Sequence, residues 1–576
     1  AAAENRPFCR TMGGTAGFVP PEKQAFASTS DLDDALKILS EKKDHWRSKT
    51  LEERKQYLQK VIDNYEKVYF DIARAASYAK GTDENGVGEE LQNVTVIANF
   101  LNCIQVLLNT NYAPKIPKVR QYKDHTIAQV YPFNTADKVL LMGVTGETWL
   151  EAGKPPTTGK YFREKQQGMH SSGKLSCVLG AGNVTSIPPT DVLSKLFIED
   201  EVVILKMNPV NDYITLYLQK MFAPLVEDGF VRIVTGGGDV GAYLTQHESV
   251  DNVHITGSDK THDLIVWGKD VQAQKEKGEP LLKKPITSEL GCVTPFVVVP
   301  GPWSDGDIEY HARQLASAVV NNASCNCVAA KVIITCKEWT LRDKFLSAVE
   351  KMLSSLPTRQ MYYPGSKEKY AAYVEHYGDK AKTLAHAEAG EVPWTIVRDV
   401  SHSDGEYALQ NEAWSGVIAE VPISADEASP AVFLERAENV VNEKTWGTLS
   451  ATVLVHPKTE KRFKKEFEEF IAKLKYGAIG INVWSSLSYA LGVTVWGGHP
   501  GSTLKNVQSG IGVGHNLFML DNAMKSVVRG PFRMWPTPAW FADNKNLQGT
   551  MKNFALYKAK PSVGRFLRVL LAGLRG

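Results

Sequence analysis

The sequence predicts an α/β protein built from two doubly wound units. Three observations carry that reading. From Cys177 onward strand and helix patterns alternate in regular order, the same rhythm returns after Thr294, and 576 residues are too many for one ordinary core. With 43% hydrophobic and 23% charged residues, the composition excludes a disordered or fibrous chain.

The elements follow in order. DLDDALKILSEKKDHW sets Leu32, Ala35, Leu36 and Leu39 at three- and four-residue spacing, which gives a helix with one apolar face. Thr50, with Glu53 three residues on, is a capping box that opens a second helix over LEERKQYLQKVIDNYEKVYFDIARAA. Residues 115–143 read as strands, TIAQVY and then KVLLMGV. Residues 144–174, around Trp149, are polar and rich in Gly, Pro and Lys, and read as an excursion with little core of its own.

The first unit then runs as follows: SCVLGA as a strand, a helix around TDVLSKLFI, and EVVILKM as a strand. The helix ITLYLQKMFAPLVEDG ends at Gly229 and is followed by the strand FVRIVT, the short helix GAYLTQH, the strand NVHIT and a helix from Asp259 to Trp267. The second unit reads TPFVVVP, a helix around HARQLASAVVNNA, AAKVIITC and a helix around LRDKFLSAVEKML. The basic, apolar end VGRFLRVLLAGLRG reads as an amphipathic helix that packs on a partner subunit rather than on a membrane.

Charge narrows the function classes. With 66 basic and 64 acidic side chains the net charge is +2, which gives no global field for nucleic acid. No run of about 18 apolar residues occurs, so no membrane span is expected. Seven cysteines are odd in number and sparse, which argues against a disulfide framework and for a reducing compartment. The cytoplasm is the expectation. The alternative is a mitochondrial or plastid matrix, since the opening AAAENRP, without Met, fits a terminus left by removal of a transit peptide.

Four local patterns carry chemistry. Gly236, Gly238 and Gly241 spell G-x-G-x-x-G between a strand and a helix, the context of a dinucleotide turn. Gly257 and Ser258 form a second such turn, where a helix N-terminus offers free N–H groups to a phosphate. NNASCNCVAAK holds Cys325 and Cys327; without a second pair or a histidine at ligand spacing they are no zinc site, and their Asn/Ser surroundings are not core composition. Glu289 stands where the pattern KPITSELG enters a strand, as an edge residue or a base.

These pieces, in this order, resemble the aldehyde dehydrogenase superfamily over about residues 30–510. The matching segments are Asn183 in GAGNVTSIPP, Lys206 in VVILKMNPV, Gly257 and Ser258 in VHITGSDKTH, Glu289 in SELGCVTP, Cys327 in NASCNCVA, Glu412 and Trp414 in NEAWSGV, and Gly497 and Gly498 in WGGHPG. The family sets an Asn five residues before its nucleophilic cysteine and an Ala two after; Asn322 and Ala329 satisfy both for Cys327, whereas Cys325 finds Val320. The family's Gly-Gln ahead of the cysteine is here Ala323 and Ser324.

The resemblance implies an aldehyde dehydrogenase-like fold: a cofactor-binding domain (1–120 and 173–287), a catalytic domain (288–485), and an oligomerisation arm with a C-terminal extension (121–172 and 486–576). It implies NAD(P)-dependent oxidation of a small-molecule aldehyde to a carboxylic acid through a cysteine thiohemiacetal and thioester. Cys327 would be the nucleophile, Glu289 the base and Asn183 the oxyanion donor. Lys206, Gly236, Gly257, Ser258, Glu412 and Trp414 would hold NAD or NADP, and the chain would form a homodimer or homotetramer. A CoA-acylating relative, or a structural subunit that keeps the fold, are the alternatives. Two finer expectations follow. Val184, Pro188 and Asp191, on the helix after Asn183, suggest a polar substrate end. Pro209, where the family often carries an acid, suggests that NADP is accepted.

Overall fold

The protein is described by a computed structural model over Phe18, residues 20–82 and residues 86–576, and these residues form two large sheets and a small two-stranded one, Arg359–Gln360 with Glu391–Val392. Cys9 and the opening AAAENRP lie outside the described residues. The first sheet has five strands, all parallel, in the spatial order Val231–Thr235, Glu201–Met207, Lys174–Leu179, Asn252–Thr256, Ile286–Glu289. The chain winds outward from Lys174–Leu179 in one direction, then returns and winds outward in the other. That reversal leaves a crevice at the C-terminal ends of the strands, the usual ligand site of such sheets.

The second sheet has eleven strands. Its parallel centre comprises Ala478–Ile481, Ser450–Leu454, Pro295–Val298, Val332–Cys336, Val417–Ile423 and Thr395–Val397. These strands are apolar on both faces, as strands covered by helices on both sides must be. Both α/β units predicted from the alternation are therefore present.

Three local expectations change. The KVLLMGV stretch does not form a strand. The Asn134 side chain accepts the Asp137 N–H at 2.9 Å and starts the short helix Thr135–Leu140, which leaves Val139 and Met142 exposed. The supposed excursion contains the strand Thr145–Leu150, with Trp149 fully buried and Glu147 paired to Arg120 at 2.9 Å. The helix expected to end at Gly229 breaks at Phe222 into Thr215–Met221 and Ala223–Glu227, because Pro224 cannot donate within a helix.

The segments read as an oligomerisation arm and C-terminal extension, 121–172 and 486–576, supply strands to the eleven-stranded sheet. Ala523–Arg529 pairs in parallel with Ala478–Ile481, and Thr145–Leu150, His125–Tyr131 and Lys118–Tyr122 follow edge to edge. Backbone groups left unpaired at the Ala478–Ile481 edge are satisfied within the same chain.

Helix Gly86–Asn109 is apolar nearly all round, and by length and composition alone it passes as a membrane span. Here it packs between helices Leu51–Ala79 and Leu547–Ala559, with Leu91, Ile97, Leu101 and Ile104 buried. Lys80 and Glu90, both nearly fully buried, pair at 2.7 Å near its start. The terminal helix Val563–Gly573 packs on Leu547–Ala559 of the same chain through Val569 and Ala572; Val563, Leu567 and Leu571 face outward. The six described cysteines are all free.

Candidate active site

The C-terminal ends of all five strands of the first sheet open into one cavity of about 840 Å³. Gly180 and Gly182 follow Lys174–Leu179, Asn208 follows Glu201–Met207, Gly237 and Gly238 follow Val231–Thr235, Gly257 follows Asn252–Thr256, and Leu290 and Gly291 follow Ile286–Glu289. Asn183, Lys206, Gly257, Ser258, Glu289, Cys327, Glu412 and Trp414 all line it. Gly236 does not. A β-carbon there would meet the Val240 side chain at 2.4 Å, so this glycine makes room for helix Gly238–Gln246 while Gly237, Gly238 and Gly241 face the cavity.

The cysteine loop is held in an unusual backbone state. Asn322, Ala323 and Ser324 stand at φ 53°, 54° and 65°, a left-handed run that L-residues resist. The surroundings fix it from several sides. Asn322 Nδ2 donates to the carbonyls of Asn183 (3.0 Å) and Cys325 (2.8 Å). The Asn322 N–H donates to Glu89 at 2.7 Å, and Glu89 is paired with Arg359 at 3.0 Å. The buried Lys331 ammonium donates to the Ser324 carbonyl at 2.8 Å. Ala323 and Ser324, where the family has Gly-Gln, thus take left-handed conformations without glycine.

This loop turns its two cysteines differently. Cys325 is buried off the cavity, its thiol 3.3 Å from Ser366 Oγ, and burial pushes its pKa up to about 11. Cys327 is partly exposed and lines the cavity, its thiol 3.8 Å from Asn326 Oδ1. Burial, Glu289 and Glu412 together hold the Cys327 thiol well above its ordinary pKa, against the pull of Lys331. The Asn183 side chain donates one N–H to the Cys325 carbonyl at 3.0 Å, which leaves its second N–H for a ligand.

Glu289 is buried, and its Oε2 has no hydrogen-bond partner. Burial raises its pKa to about 7, with His515 pulling it back down. Glu412 is also raised by burial, against the nearby ammoniums of Lys331 and Lys369. Those two ammoniums flank the Trp414 ring at 5.6 and 5.9 Å from its centroid. Lys206 is nearly buried, and that burial lowers its pKa.

A second cavity, of about 440 Å³, also touches Cys327 and Glu289. Its lining is more strongly apolar than that of the first. The reading of Val184, Pro188 and Asp191 as a polar substrate end fails here. Only Val184 of the three lines this cavity. Pro188 is buried beside Gly180, and the carboxylate of Asp191 accepts from His515 Nε2 at 2.8 Å, both fully buried.

Comparison with known proteins agrees with this geometry. The sequence profile of the aldehyde dehydrogenase family matches residues 198–382. The D-glyceraldehyde dehydrogenase (NADP(+)) of Picrophilus torridus is 29% identical over 151 residues; the match spans 25% of this chain and 28% of that protein's length. The crystal structure of the aldehyde dehydrogenase KauB from Pseudomonas aeruginosa superposes with a TM-score of 0.62 at 16% identity, over 90% of this chain and 94% of that one. The NAD-dependent aldehyde dehydrogenase from Sinorhizobium meliloti gives 0.61 at 17% identity, over 92% and 95%.

Residues 198–382 thus match the aldehyde dehydrogenase family and the chain has the fold of its solved structures, while it spans less than two fifths of the length of the curated relatives it matches. The strand-end glycines, Lys206, the two glutamates and Cys327 lie on one cavity, although identity to the superposed structures is low. Sequence reasoning missed Lys331, which supports the cysteine loop, because a lysine at the start of a strand gives no sign that it will be buried. It also missed the second cavity, whose walls come from parts of the chain hundreds of residues apart.

Proposed function

We propose that this protein oxidises an aldehyde to a carboxylic acid with NAD or NADP, using Cys327 as nucleophile and Glu289 as base. The observation that carries the reading is that Cys327 and Glu289 are shared by two cavities, one lined by the strand-end glycines and charged side chains, the other more strongly apolar. A dinucleotide and an aldehyde can thus meet at one sulfur.

The residues of the larger cavity fit a nicotinamide dinucleotide. Gly237, Gly238 and Gly241 let backbone approach a pyrophosphate, and helix Asp259–Trp267, capped by Ser258, starts at the cavity wall. Lys206 and Glu412 supply a cation and a carboxylate for ribose hydroxyls. Bound there, the dinucleotide would supply the acceptor for the hydride lost from the carbon joined to Cys327 Sγ.

The remaining steps belong to the chain. Glu289 takes the Cys327 proton, and Sγ forms a bond to the carbonyl carbon. The spare N–H of Asn183 stabilises the oxyanion, a contribution worth about 3–4 kcal/mol in comparable sites. Once the thioester has formed, Glu289, freed of its first proton, takes one from water. The hydroxide attacks the acyl carbon, the C–S bond breaks and the acid leaves. Glu289 favours this hydrolytic outcome over transfer to CoA, since a base set against the sulfur makes water the acceptor.

An aldehyde panel followed at the absorbance of the reduced nicotinamide tests the reading. Turnover in the wild type and none in Cys327→Ala is expected. A Cys327→Ala variant with wild-type turnover would overturn it.

A further inference from the structure

The second cavity is walled in part by the C-terminal part of the chain. Met534, Trp540, Met551, Phe554, Leu570 and Leu574 line it, from the segment 534–540 and the helices Leu547–Ala559 and Val563–Gly573. Among the described residues on its wall, the charged side chains are Glu289 at the catalytic centre and the pair Asp137–Lys558, which neutralise each other across 3.3 Å. Neutral polar side chains such as Asn93, Asn326 and Ser486 also line it, but its surface is mostly apolar, so a charge on a substrate lodged there would lose water and find no free counter-charge away from Glu289.

The cavity also reaches the surface. Val139, Met142, Trp535 and Leu574 line it while standing 45–75% exposed, and Leu567 and Leu571 continue the apolar rim along the last helix. Exposed apolar residues scattered singly need no explanation, but a cluster at the mouth of an apolar cavity marks a binding entrance.

On the basis of the aldehyde oxidation proposed above, we infer that the substrate is a long-chain aliphatic aldehyde whose hydrocarbon tail lies in this cavity, with residues 534–574 as the wall that selects it. The cavity's 440 Å³ equals roughly fifteen liquid waters, which a chain of about ten carbons or more would fill. The carbonyl sits at Cys327 and the tail extends toward the rim at Trp535 and Leu574.

The test is kcat/KM across straight-chain alkanals from butanal to tetradecanal at saturating cofactor. Each added methylene should raise it about fourfold until the cavity is filled. Gly573 lines the wall, with no atom within 4 Å of where its β-carbon would stand, so Gly573→Phe can enter the cavity. The dodecanal-to-butanal ratio should then fall at least tenfold. Equal rates for butanal and dodecanal, or a preference for hydroxylated short aldehydes, would overturn the inference while leaving the dehydrogenase reading intact. If no aldehyde were oxidised, the function reading would fall and binding would decide the cavity. Tighter binding of decanol than butanol by calorimetry, lost in Gly573→Phe, upholds the apolar site; equal binding overturns it.

Discussion

A β-carbon on Gly291 would stand 2.4 Å from Oε2 of Glu412, so the carboxylate occupies space that only glycine leaves open. Glu412 Oε1 accepts the Cys292 N–H at 3.3 Å, which ties the acid to the turn that follows Glu289. We expect Gly291→Ala to push the Glu412 carboxylate away from the ribose position and weaken dinucleotide binding about tenfold to a hundredfold, the range of a hydrogen bond to a charged group. Fold stability should change little, because the displaced group is the end of a flexible side chain. Cofactor titration by tryptophan fluorescence checks this, and unchanged affinity would remove Glu412 from the cofactor site.

The two cysteines should separate cleanly. Cys327→Ala is expected to abolish hydride transfer while leaving cofactor affinity nearly intact. Cys325→Ala should keep substantial activity, because that thiol is buried off both cavities. Iodoacetamide should modify Cys327 first, and faster as pH rises, because its thiol is held above its ordinary pKa. Mass spectrometry of the labelled peptides reads both outcomes; rapid labelling of Cys325 would reverse the assignment.

Glu289 sets a pH signature. With its pKa raised to about 7, the base is protonated below that point, so kcat/KM should rise with pH through about 7. Glu289→Gln should flatten that limb and give a burst of reduced cofactor followed by a stall. Stability runs the other way. Between about pH 4.5 and 7 the folded chain holds a proton on Glu289 that the unfolded chain releases, so this residue's contribution falls as pH rises through that window. Comparing the pH dependence of Tm for wild type and Glu289→Gln isolates the effect.

The buried pair Lys80–Glu90 joins the end of helix Leu51–Ala79 to helix Gly86–Asn109, which lines the apolar cavity. The Lys80 ammonium also lies 5.5 Å from the ring of Tyr362, whose hydroxyl reaches Asn322 Oδ1 at 3.0 Å. Glu90→Ala leaves an unpaired buried cation and should cost about 3–5 kcal/mol; a double replacement by Met and Leu should recover much of that. Denaturant unfolding of Lys80→Met, Glu90→Leu and the double variant makes the double-mutant cycle, and full additivity would mean the pair is not coupled.

What could be read from sequence follows how local the determinant is. Thr50 with Glu53, and Ser258 ahead of Asp259–Trp267, start helices through contacts three residues apart, so both were legible. Helix Gly86–Asn109 was not. It is apolar nearly all round, and such a run has no periodicity to betray it until Leu547–Ala559 covers it. The candidate site residues that line the larger cavity were legible because they sit in short local motifs. The apolar cavity was not, since it exists only where Val184, Trp484, Met551 and Leu570 converge, and the nearby Asp191 misled by turning away to His515.

Cofactor choice rests on what surrounds Lys206. A carboxylate near the adenine ribose would accept from its hydroxyls and repel a 2′-phosphate. Pro209 stands where that acid is often found, and its carbonyl is met by Lys23 at 3.4 Å. Asp212, the nearest replacement in sequence, pairs with Lys23 at 2.8 Å, and neither it nor Asp239 lines the cavity. The acids that do, Asp259, Glu289, Glu368 and Glu412, belong to the turn after Asn252–Thr256 and to the catalytic side. Lys206 therefore faces the cavity with no acid of its own strand end lining it, although Asp239 and Asp212 act on it from outside the cavity wall. We expect NADP to be accepted alongside NAD or in preference to it, with Pro209→Glu shifting the ratio toward NAD. The measurement is kcat/KM for the two cofactors with one aldehyde. A preference for NAD above about a hundredfold, roughly 2.7 kcal/mol, would mean that some other group bars the phosphate and that Pro209 does not decide the choice.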